Sequence, residues 1–296
     1  MVREKKKARR NWKKLLAPLT KTAFRLSTAE EPTTSYFGSL PPAYEGFSWP
    51  VNTDDDPLSF LACIDCRGIS AYPGMEWLPQ TGRLLFFYDT LNQPWGFDPS
   101  HKDGFSVIYV PESSIENDGH LARPPADFPD GFILTQTYLN LRFFMDVPSV
   151  RSPLIAHLNL NDEEMEDYEE YRVSMFPGFG ILKAMHKDRT EPWFVDEFVL
   201  HQIGGYPAPV QGDNMDVKCQ VVSNGISLAR EFSEEEERRL DELEKGAGDW
   251  SLLFQMDSDV NRDLMWCDEG RLYFWIRRQD AMDQRFDLAW TILQTY

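Results

Sequence analysis

Residues 58–65 read LSFLACID, and residues 250–257 repeat the pattern as WSLLFQMD. Each stretch is an almost unbroken apolar run of strand length, which is typical of a strand covered on both faces. Two further pairs of matching stretches surround them in the same order, namely 37–41 (FGSLP) with 203–207 (IGGYP) and 82–88 (GRLLFFY) with 270–276 (GRLYFWI). Matching stretches in a fixed order predict an internally duplicated structural unit.

The duplication predicts a sheet-rich fold in which the two copies bury each other's strands. With 296 residues, the chain is long enough for one large domain. We expect a basic N-terminal arm over residues 1–29 and one domain over residues 30–296, built from related units at about 30–150 and 195–296. Strand patterns occur at 58–65, 83–88, 105–110, 133–146, 194–202, 219–223 and 290–295.

Two segments outside the repeated strands have helical or loop signatures. Ser233 and Glu236 form a capping box, which predicts a helix that continues to Lys245. Residues 161–171 contain seven acidic residues and no interleaved basic ones. Because such a segment lacks stabilising pairs four residues apart, we expect an exposed, mobile helix or loop that connects the two units.

The charge is divided unequally along the chain. Residues 1–28 hold ten Lys or Arg and one acidic residue, a net charge of +9, whereas the rest holds 20 Lys or Arg and 47 Asp or Glu, a net charge of −27. A strongly acidic body repels phosphates, which argues against nucleic-acid binding there. The composition suits a basic protein partner, or solubility alone.

The basic arm has apolar residues at helical spacing. Trp12, Leu15, Leu16, Leu19 and Phe24 predict a helix within residues 3–26, although Pro18 would break or kink it. We expect its apolar face to pack on the body and its first lysines to be mobile. The alternatives are an arm that binds anionic membranes or nucleic acid, or a targeting sequence.

Cys63 and Cys66 form a C-x-x-C motif, which could indicate a redox or zinc site. Residues three apart in a strand point to opposite faces, and the chain has no second cysteine pair to complete a zinc site. We therefore predict reduced, half-buried thiols and a cytoplasmic protein. No apolar run is long enough for a transmembrane segment, and the sequence leaves the oligomeric state open.

Motifs along most of the chain resemble the YwqG-like family, a soluble family of unknown function. They lie at 38–41, 49–50, 57–65, 82–88, 94–99 (PWGFDP), 201–202, 205–207, 211–213, 252–258, 265–266 and 270–276. The resemblance implies an α+β, sheet-rich, internally duplicated fold with few short helices. Because members often lie beside toxin and immunity genes in bacteria, it also suggests an interaction role. Cys63 departs from the family's Gln, which the second copy keeps as Gln255.

One acidic loop resembles a calcium site. Asp257, Asp259, Asn261 and Asp263 follow the spacing of a calcium-binding loop, but Arg262 occupies the position that normally requires glycine. The main alternative is a turn in which carboxylates cap backbone N–H groups. If a metal binds, Asp213 could join Asp257 and Asp259 in a metal-assisted hydrolase.

Two groups of residues are candidates for binding. Aromatic and acidic residues near turns could form a recognition surface, and polar residues around the Gly-Pro turn at 204–209 could hold a ligand or lock the turn. The first group is Trp49, Trp95, Asp98 and Trp266; the second is His201, Gln202, Gln211 and Asp213. Since the chain lacks a nucleophile motif, a phosphate loop and a cofactor motif, we predict a non-enzymatic binding protein, such as an immunity-like protein or an adaptor for a basic partner.

Overall fold

The computed structural model describes residues 10–115, 120–126, 128–129, 132–178 and 199–296, with only the backbone at Asn261. Within these residues, ten antiparallel strands form one sheet in the order β10-β9-β8-β7-β1-β6-β2-β3-β4-β5. The strands are β1 Lys21–Thr28, β2 Tyr36–Phe37, β3 Ser59–Asp65, β4 Arg83–Tyr88, β5 Phe105–Val110, β6 Thr137–Asp146, β7 Gln202–Gly204, β8 Trp250–Asp257, β9 Arg271–Arg277 and β10 Trp290–Gln294.

The helices in the described part of the chain are few and short, so the coarse prediction of a sheet-rich α+β fold is confirmed. The α-helices in the described part of the chain are α1 Trp12–Leu16, α2 Asp162–Ser174, α3 Met215–Ser223, α4 Glu234–Glu244 and α5 Arg278–Met282. Short 3₁₀ helices of one or two turns occur at Ala17–Leu19, Pro99–Gly104, Glu112–Ser114, Pro153–Leu158, Ala247–Asp249, Val260–Arg262 and Phe286–Leu288. The capping box predicted for α4 is present, with the Glu236 N–H donating to Ser233 Oγ at 3.3 Å.

Three of the predicted elements are wrong in type or extent. Of the helix predicted within residues 3–26, the part from residue 10 onward, which the structure describes, is limited to α1 and the 3₁₀ turn at Ala17–Leu19. Residues 21–28 instead form β1 near the middle of the sheet. The strand predicted at 219–223 belongs to helix α3, whose buried Cys219 and Val222 face the core. Of the strand predicted at 194–202, residues 194–198 lie outside the described residues and β7 begins at Gln202.

The two ends of the sheet have matching pairing patterns. We call β2–β5 the first half and β7–β10 the second half. The register between β3 and β4 shifts between Phe60 and Ala62, and that between β8 and β9 shifts between Leu252 and Phe254. Both halves therefore carry a β-bulge at the same place, one that bends the strand and increases its twist.

The turns after β2 and within β7 also correspond. Gly38 and Ser39 have φ values of 65° and 60°, and Gly204 and Gly205 have φ values of 67° and 73°. A Cβ atom on Gly38 would lie 2.4 Å from the carbonyl oxygen of Thr135, so that position requires glycine. Between the halves, β6 pairs with β2 and β1 pairs with β7.

The sheet curls into a nearly closed, barrel-like structure, so that its two halves bury a shared core. The Phe86 ring on β4 lies 4.7 Å from Phe254 on β8 and 5.1 Å from Phe274 on β9. The end strands β5 and β10 also approach, with Phe105 and Trp290 5.4 Å apart in edge-to-face geometry. Aromatic pairs of this kind add to the burial energy of a core.

The two cysteines of the C-x-x-C motif lie in different core clusters, as predicted for residues on opposite faces of a strand. Cys63 packs with Phe60 and Phe87, whereas Cys66 belongs to the central core. Both thiols are free and fully buried rather than half-buried. Burial raises the pKa of Cys63 to about 12, so this thiol stays protonated at neutral pH.

Candidate functional site

A buried polar cluster forms around the carboxylate of Asp257 at the end of β8. One carboxylate oxygen accepts a hydrogen bond from Arg271 Nε at 2.8 Å, and the other accepts from the Leu200 N–H at 2.8 Å. The backbone N–H of Asp257 donates to His201 Nδ1 at 3.1 Å. His201, Asp257 and Arg271 are each at most 4% exposed, so the cluster is closed to solvent.

The same cluster fixes the turn that follows β7. Arg271 Nη1 and the Tyr273 hydroxyl both donate to the Ala208 carbonyl, at 3.1 and 2.7 Å. The Gln255 amide accepts from the Ala208 N–H at 2.9 Å and donates to the Leu200 carbonyl at 2.6 Å. Buried backbone N–H and carbonyl groups need hydrogen-bond partners. These side chains supply them to a turn whose backbone lies outside the strands, and they therefore stabilise it.

His201 is buried as an uncharged side chain. Burial lowers its pKa to about 3, and the nearby Asp257 carboxylate opposes that shift only in part. Since Nδ1 accepts the Asp257 N–H, the ring proton is assigned to Nε2, which lies 3.7 Å from the Asp259 carboxylate. A histidine whose basic nitrogen already accepts a backbone N–H has no lone pair for a substrate proton.

Replacing His201 by Asn should make the stability less sensitive to acid. Between its ordinary pKa of 6.5 and its folded pKa of about 3, the unfolded chain binds a proton that the folded chain does not. His201 therefore contributes stability that is present above pH 6.5 and is lost as the pH falls, by up to about 1.4 kcal/mol per pH unit. Urea unfolding of both proteins across this range measures the slopes.

The slopes of stability against pH must be compared between the two proteins, because Asp146 changes the stability with pH in the direction opposite to His201. Burial raises the pKa of this carboxyl to about 6, so its contribution to stability is lost as the pH rises towards 6. This contribution is common to the wild type and to His201→Asn and cancels in the difference. Equal slopes for the two proteins would contradict the assignment of a neutral His201.

The residues of the predicted calcium loop are held by arginines. Asp257 is paired with Arg271, and the Asp259 carboxylate makes a close ion pair with Arg262. Asp263 is exposed, and the side chain of Asn261 lies outside the described part. Asp213 lies elsewhere, close enough to Lys21 and Asp216 for their charges to affect its pKa, which burial raises. Among the described residues, no three His, Cys, Asp or Glu side chains could together hold a metal ion.

The predicted aromatic residues do not form one surface. Trp49 packs against Phe87 and donates its Nε1 to the Leu58 carbonyl at 2.8 Å. Trp266 is 1% exposed, whereas Trp95 is 37% exposed.

The remaining predicted binding residues mainly support turns. Asp98 caps a 3₁₀ turn by accepting from the Ser100 N–H at 2.9 Å. Gln202 donates to the Gly204 and Tyr206 carbonyls at 3.0 and 2.7 Å. The backbone N–H of Gln211 donates to the Gln294 side chain at 3.1 Å.

The first half of the sheet contains a polar cleft that the sequence did not reveal. It has a volume of about 350 Å³ and lies between the ends of β2, β4 and β6 and residues 42, 112, 115, 120 and 121. We call it the Arg83 cleft; its principal lining residues are Thr34, Tyr36, Pro42, Arg83, Leu121 and Tyr138. Cavities of this size hold small ligands.

Of the two arginines near the cleft, Arg67 has ion-pair partners, whereas Arg83 makes no ion pair with a described carboxylate. Arg67 lies 3.4 Å from the Asp65 carboxylate and 3.1 Å from that of Glu112. Nε of Arg83 is buried without a hydrogen-bond partner among the described residues. Burial raises the pKa of the Cys63 thiol, and the Arg83 guanidinium lies close enough to lower it in part through a hydrogen bond, but a neutral thiol supplies no counter-charge. The sequence signal for this difference is Arg67, two residues after Asp65, since the equivalent position after Asp257 is Asp259.

The arm docks on the acidic helix α2. Arg10 Nε donates to Glu164 at 3.0 Å, and Trp12 Nε1 donates to Asp167 at 2.8 Å. The Trp12 ring packs edge-on against Tyr168 at 5.3 Å. The predicted arm, where described, thus meets the predicted connector through both charge and apolar contact.

The expected packing of the arm is confirmed for Trp12 and Leu16, which are buried, and is wrong for Leu15, which is 44% exposed. Leu19 is partly buried in the same cluster. Residues 3–9 lie outside the described residues. The sequence predicts an exposed helix or loop over residues 161–171, and they lie almost wholly within α2. Their side chains are exposed or partly exposed except that of Tyr168, which is fully buried.

These features define a sheet-rich α+β protein whose buried polar clusters hold turns in place. The chain belongs to the family described as a domain of unknown function (DUF1963), whose family model matches residues 35–295. Comparison with curated proteins gives no match. Within the part of the chain that is described, no helix has the length and apolar character needed to cross a membrane.

Proposed function

We propose that this chain is a non-enzymatic binding protein, an adaptor or an immunity-like protein, whose acidic surface holds a basic protein partner. The observation that carries the proposal is the docking of the chain's own basic arm on α2. There an arginine pairs with Glu164 while Trp12 supplies an apolar anchor on Tyr168. A charged contact beside an aromatic anchor is a common pattern at protein interfaces.

Helix α4 offers a second acidic face that is open to a partner. It is amphipathic, with Leu240 and Leu243 half-buried, and it packs against α3. Its exposed carboxylates are Glu234, Glu235, Glu237, Asp241, Glu242 and Glu244. Because the arm already covers part of α2, we assign the partner site to α4.

The state of the reactive side chains supports binding over catalysis. The ring nitrogen of His201 that could accept a proton is bonded to a backbone N–H, and burial raises the pKa of the Cys63 and Cys219 thiols. The free thiols also support a reducing, cytoplasmic location as part of the same proposal. We further infer that the chain is a YwqG-like member of its family.

We also infer an internal duplication whose bounds differ from the units predicted at about 30–150 and 195–296. Here β1 joins the first unit, giving β1–β5, and β6 moves to the second, giving β6–β10. The matching bulges and left-handed turns support it. In this interpretation the first strand of each unit is exchanged, because β1 pairs with β7 and β6 pairs with β2. Exchange of an identical element between copies is an established route to an intertwined structure.

Reversing two charges on α4 should weaken binding of a basic probe. The probe is a fluorescent oligolysine peptide, and the variant carries Glu237→Lys and Asp241→Lys. Since exposed pairs contribute about 0–1 kcal/mol each, we expect affinity to fall about tenfold at low salt. Anisotropy titrations measure the affinity, and binding to the wild type should weaken steeply as salt rises.

The matched control is Glu163→Lys with Glu166→Lys on α2, which changes the net charge by the same amount. Both residues are exposed, so the protein should stay folded, as circular dichroism will check. An equal loss of affinity in the control would show that binding reports net charge and would overturn the assignment to α4. A pull-down at low ionic strength that recovers no partner would count against the function itself.

A further inference from the structure

We propose that the Arg83 cleft binds a free carboxylate with an amide carbonyl beside it, as at the C-terminus of a peptide. The cleft lies in the first half of the sheet and involves none of the residues of α2 or α4. The inference therefore goes beyond the proposed function and does not rest on it.

The second half of the sheet contains the equivalent arginine with its partners in place. Arg271 begins β9 as Arg83 begins β4, and in the strand register they lie opposite Asp257 and Asp65. Nε of Arg271 donates to the Asp257 carboxylate at 2.8 Å, and its Nη1 donates to the Ala208 carbonyl at 3.1 Å. An arginine at this place in the fold is therefore held by one carboxylate and one carbonyl.

The surrounding backbone is also equivalent in the two halves. Asp257 donates its N–H to His201 Nδ1 at 3.1 Å, and Asp65 donates its N–H to Ser35 Oγ at 3.0 Å. The absence of a carboxylate and a carbonyl partner at Arg83 is thus a local difference between two halves with equivalent backbones.

Arg83 lacks both kinds of partner. The Asp65 carboxylate instead accepts from Thr34 Oγ1 at 2.7 Å and lies 3.4 Å from Arg67. Arg83 Nε is buried with no hydrogen-bond partner among the described residues. A partly buried guanidinium without a counter-charge is unfavourable, and a ligand that supplies a carboxylate and a carbonyl would remove that cost with bidentate geometry.

The shape and lining of the cleft fit a short peptide end. Its volume of about 350 Å³ suits one or two residues. The hydroxyl of Tyr138 and the side chain of Gln136, for which no hydrogen bond within the described chain is found, can bond to a peptide amide. Pro42, Ile115 and Leu121 give an apolar wall for a side chain.

The acidic body does not prevent this binding. Glu112 lines the cleft, but its carboxylate is paired with Arg67 at 3.1 Å. More distant carboxylates are screened beyond about 10 Å at 0.1 M salt. The unpaired charge nearest to an incoming ligand is therefore that of Arg83.

The test titrates the full-length, deuterated protein with N-acetyl-diglycine while amide chemical shifts are recorded by NMR. The free acid should shift the amides of Thr34, Ala43 and Leu121, which surround the cleft. The C-terminally amidated peptide, which lacks the carboxylate, should bind at least tenfold more weakly. Acetate should also bind more weakly, because it lacks the carbonyl; equal binding of acetate would overturn the assignment to a peptide end.

Variants locate the site. Arg83→Met should abolish the shifts. Arg83→Lys should weaken them, because lysine keeps the positive charge but lacks the planar guanidinium that binds a carboxylate through two N–H donors. Arg285→Met is the control, since Arg285 is exposed and pairs with Asp287 at 2.8 Å, and it should bind like the wild type. Binding retained in Arg83→Met, equal binding of acid and amide, or no shift with the acid would each overturn the proposal. The comparison of acid with amide needs no variant, so it holds even if a variant fails to fold.

Discussion

Replacing Arg271 by Met should lower the free energy of unfolding by about 3–5 kcal/mol, the usual cost of removing one partner from a buried ion pair. Arg271 is 4% exposed and its Nε lies 2.8 Å from the Asp257 carboxylate. The substitution would leave that carboxylate buried without its counter-charge and the Ala208 carbonyl with only the Tyr273 hydroxyl. Urea unfolding, followed by circular dichroism, measures the loss.

Arg83→Met is the matched control, because it removes the equivalent arginine from the other half. Arg83 makes no ion pair with a carboxylate among the described residues, so its removal should change stability by less than about 1 kcal/mol. Equal losses for the two variants would show that Arg83 is also structurally required. The comparison with Arg271 that supports the Arg83 cleft would then fail.

The repeated apolar runs were sufficient to predict the central strands. Phe60 and Leu252, at equivalent positions in these runs, lie in β3 and β8, at the matching bulges. A run that is apolar on both faces has few alternatives other than a strand buried in a core. Two copies with the same order gave the prediction further support, because each constrained the interpretation of the other.

Elements with mixed patterns were predicted less well. Val221 and Val222 favour a strand by propensity, but Met215, Cys219 and Val222 have the spacing of a helix face and pack into the core. Lys21 and Arg25 made β1 look like a continuation of the basic arm. Their long side chains are accommodated beside the sheet, with Lys21 Nζ 4.2 Å from the Tyr206 ring centre.

The candidate sites depend on tertiary partners that spacing does not encode. Asp257 and Asp259 have the sequence spacing of metal ligands, but arginines from positions 271 and 262 occupy their carboxylates. In the Arg83 cleft the situation is reversed, because the Asp65 carboxylate lies 3.4 Å from Arg67 and makes no ion pair with Arg83. Which arginine pairs with which carboxylate depends on the positions of the side chains in the folded sheet, and sequence spacing does not give these positions.

Separating the chain between β5 and β6 should abolish folding of both pieces. A fragment of residues 1–131 would contain β1–β5, and a fragment of residues 132–296 would contain β6–β10. In the first fragment β1 has lost both of its neighbours, since it pairs with β6 and β7. In the second, β6 has lost β1 and β2 and therefore has no partner.

The shared core also predicts that neither fragment folds alone, because each half of the sheet covers the apolar face of the other. The Phe86 ring contacts Phe254 and Phe274 across the two halves, so either fragment alone would expose a large aromatic surface. We expect neither fragment to give a cooperative urea transition, and we expect an equimolar mixture to regain one by strand complementation. A cooperative transition in either isolated fragment would show that one half is an independent domain, and the interlocked arrangement of β1 and β6 would then not be required for folding.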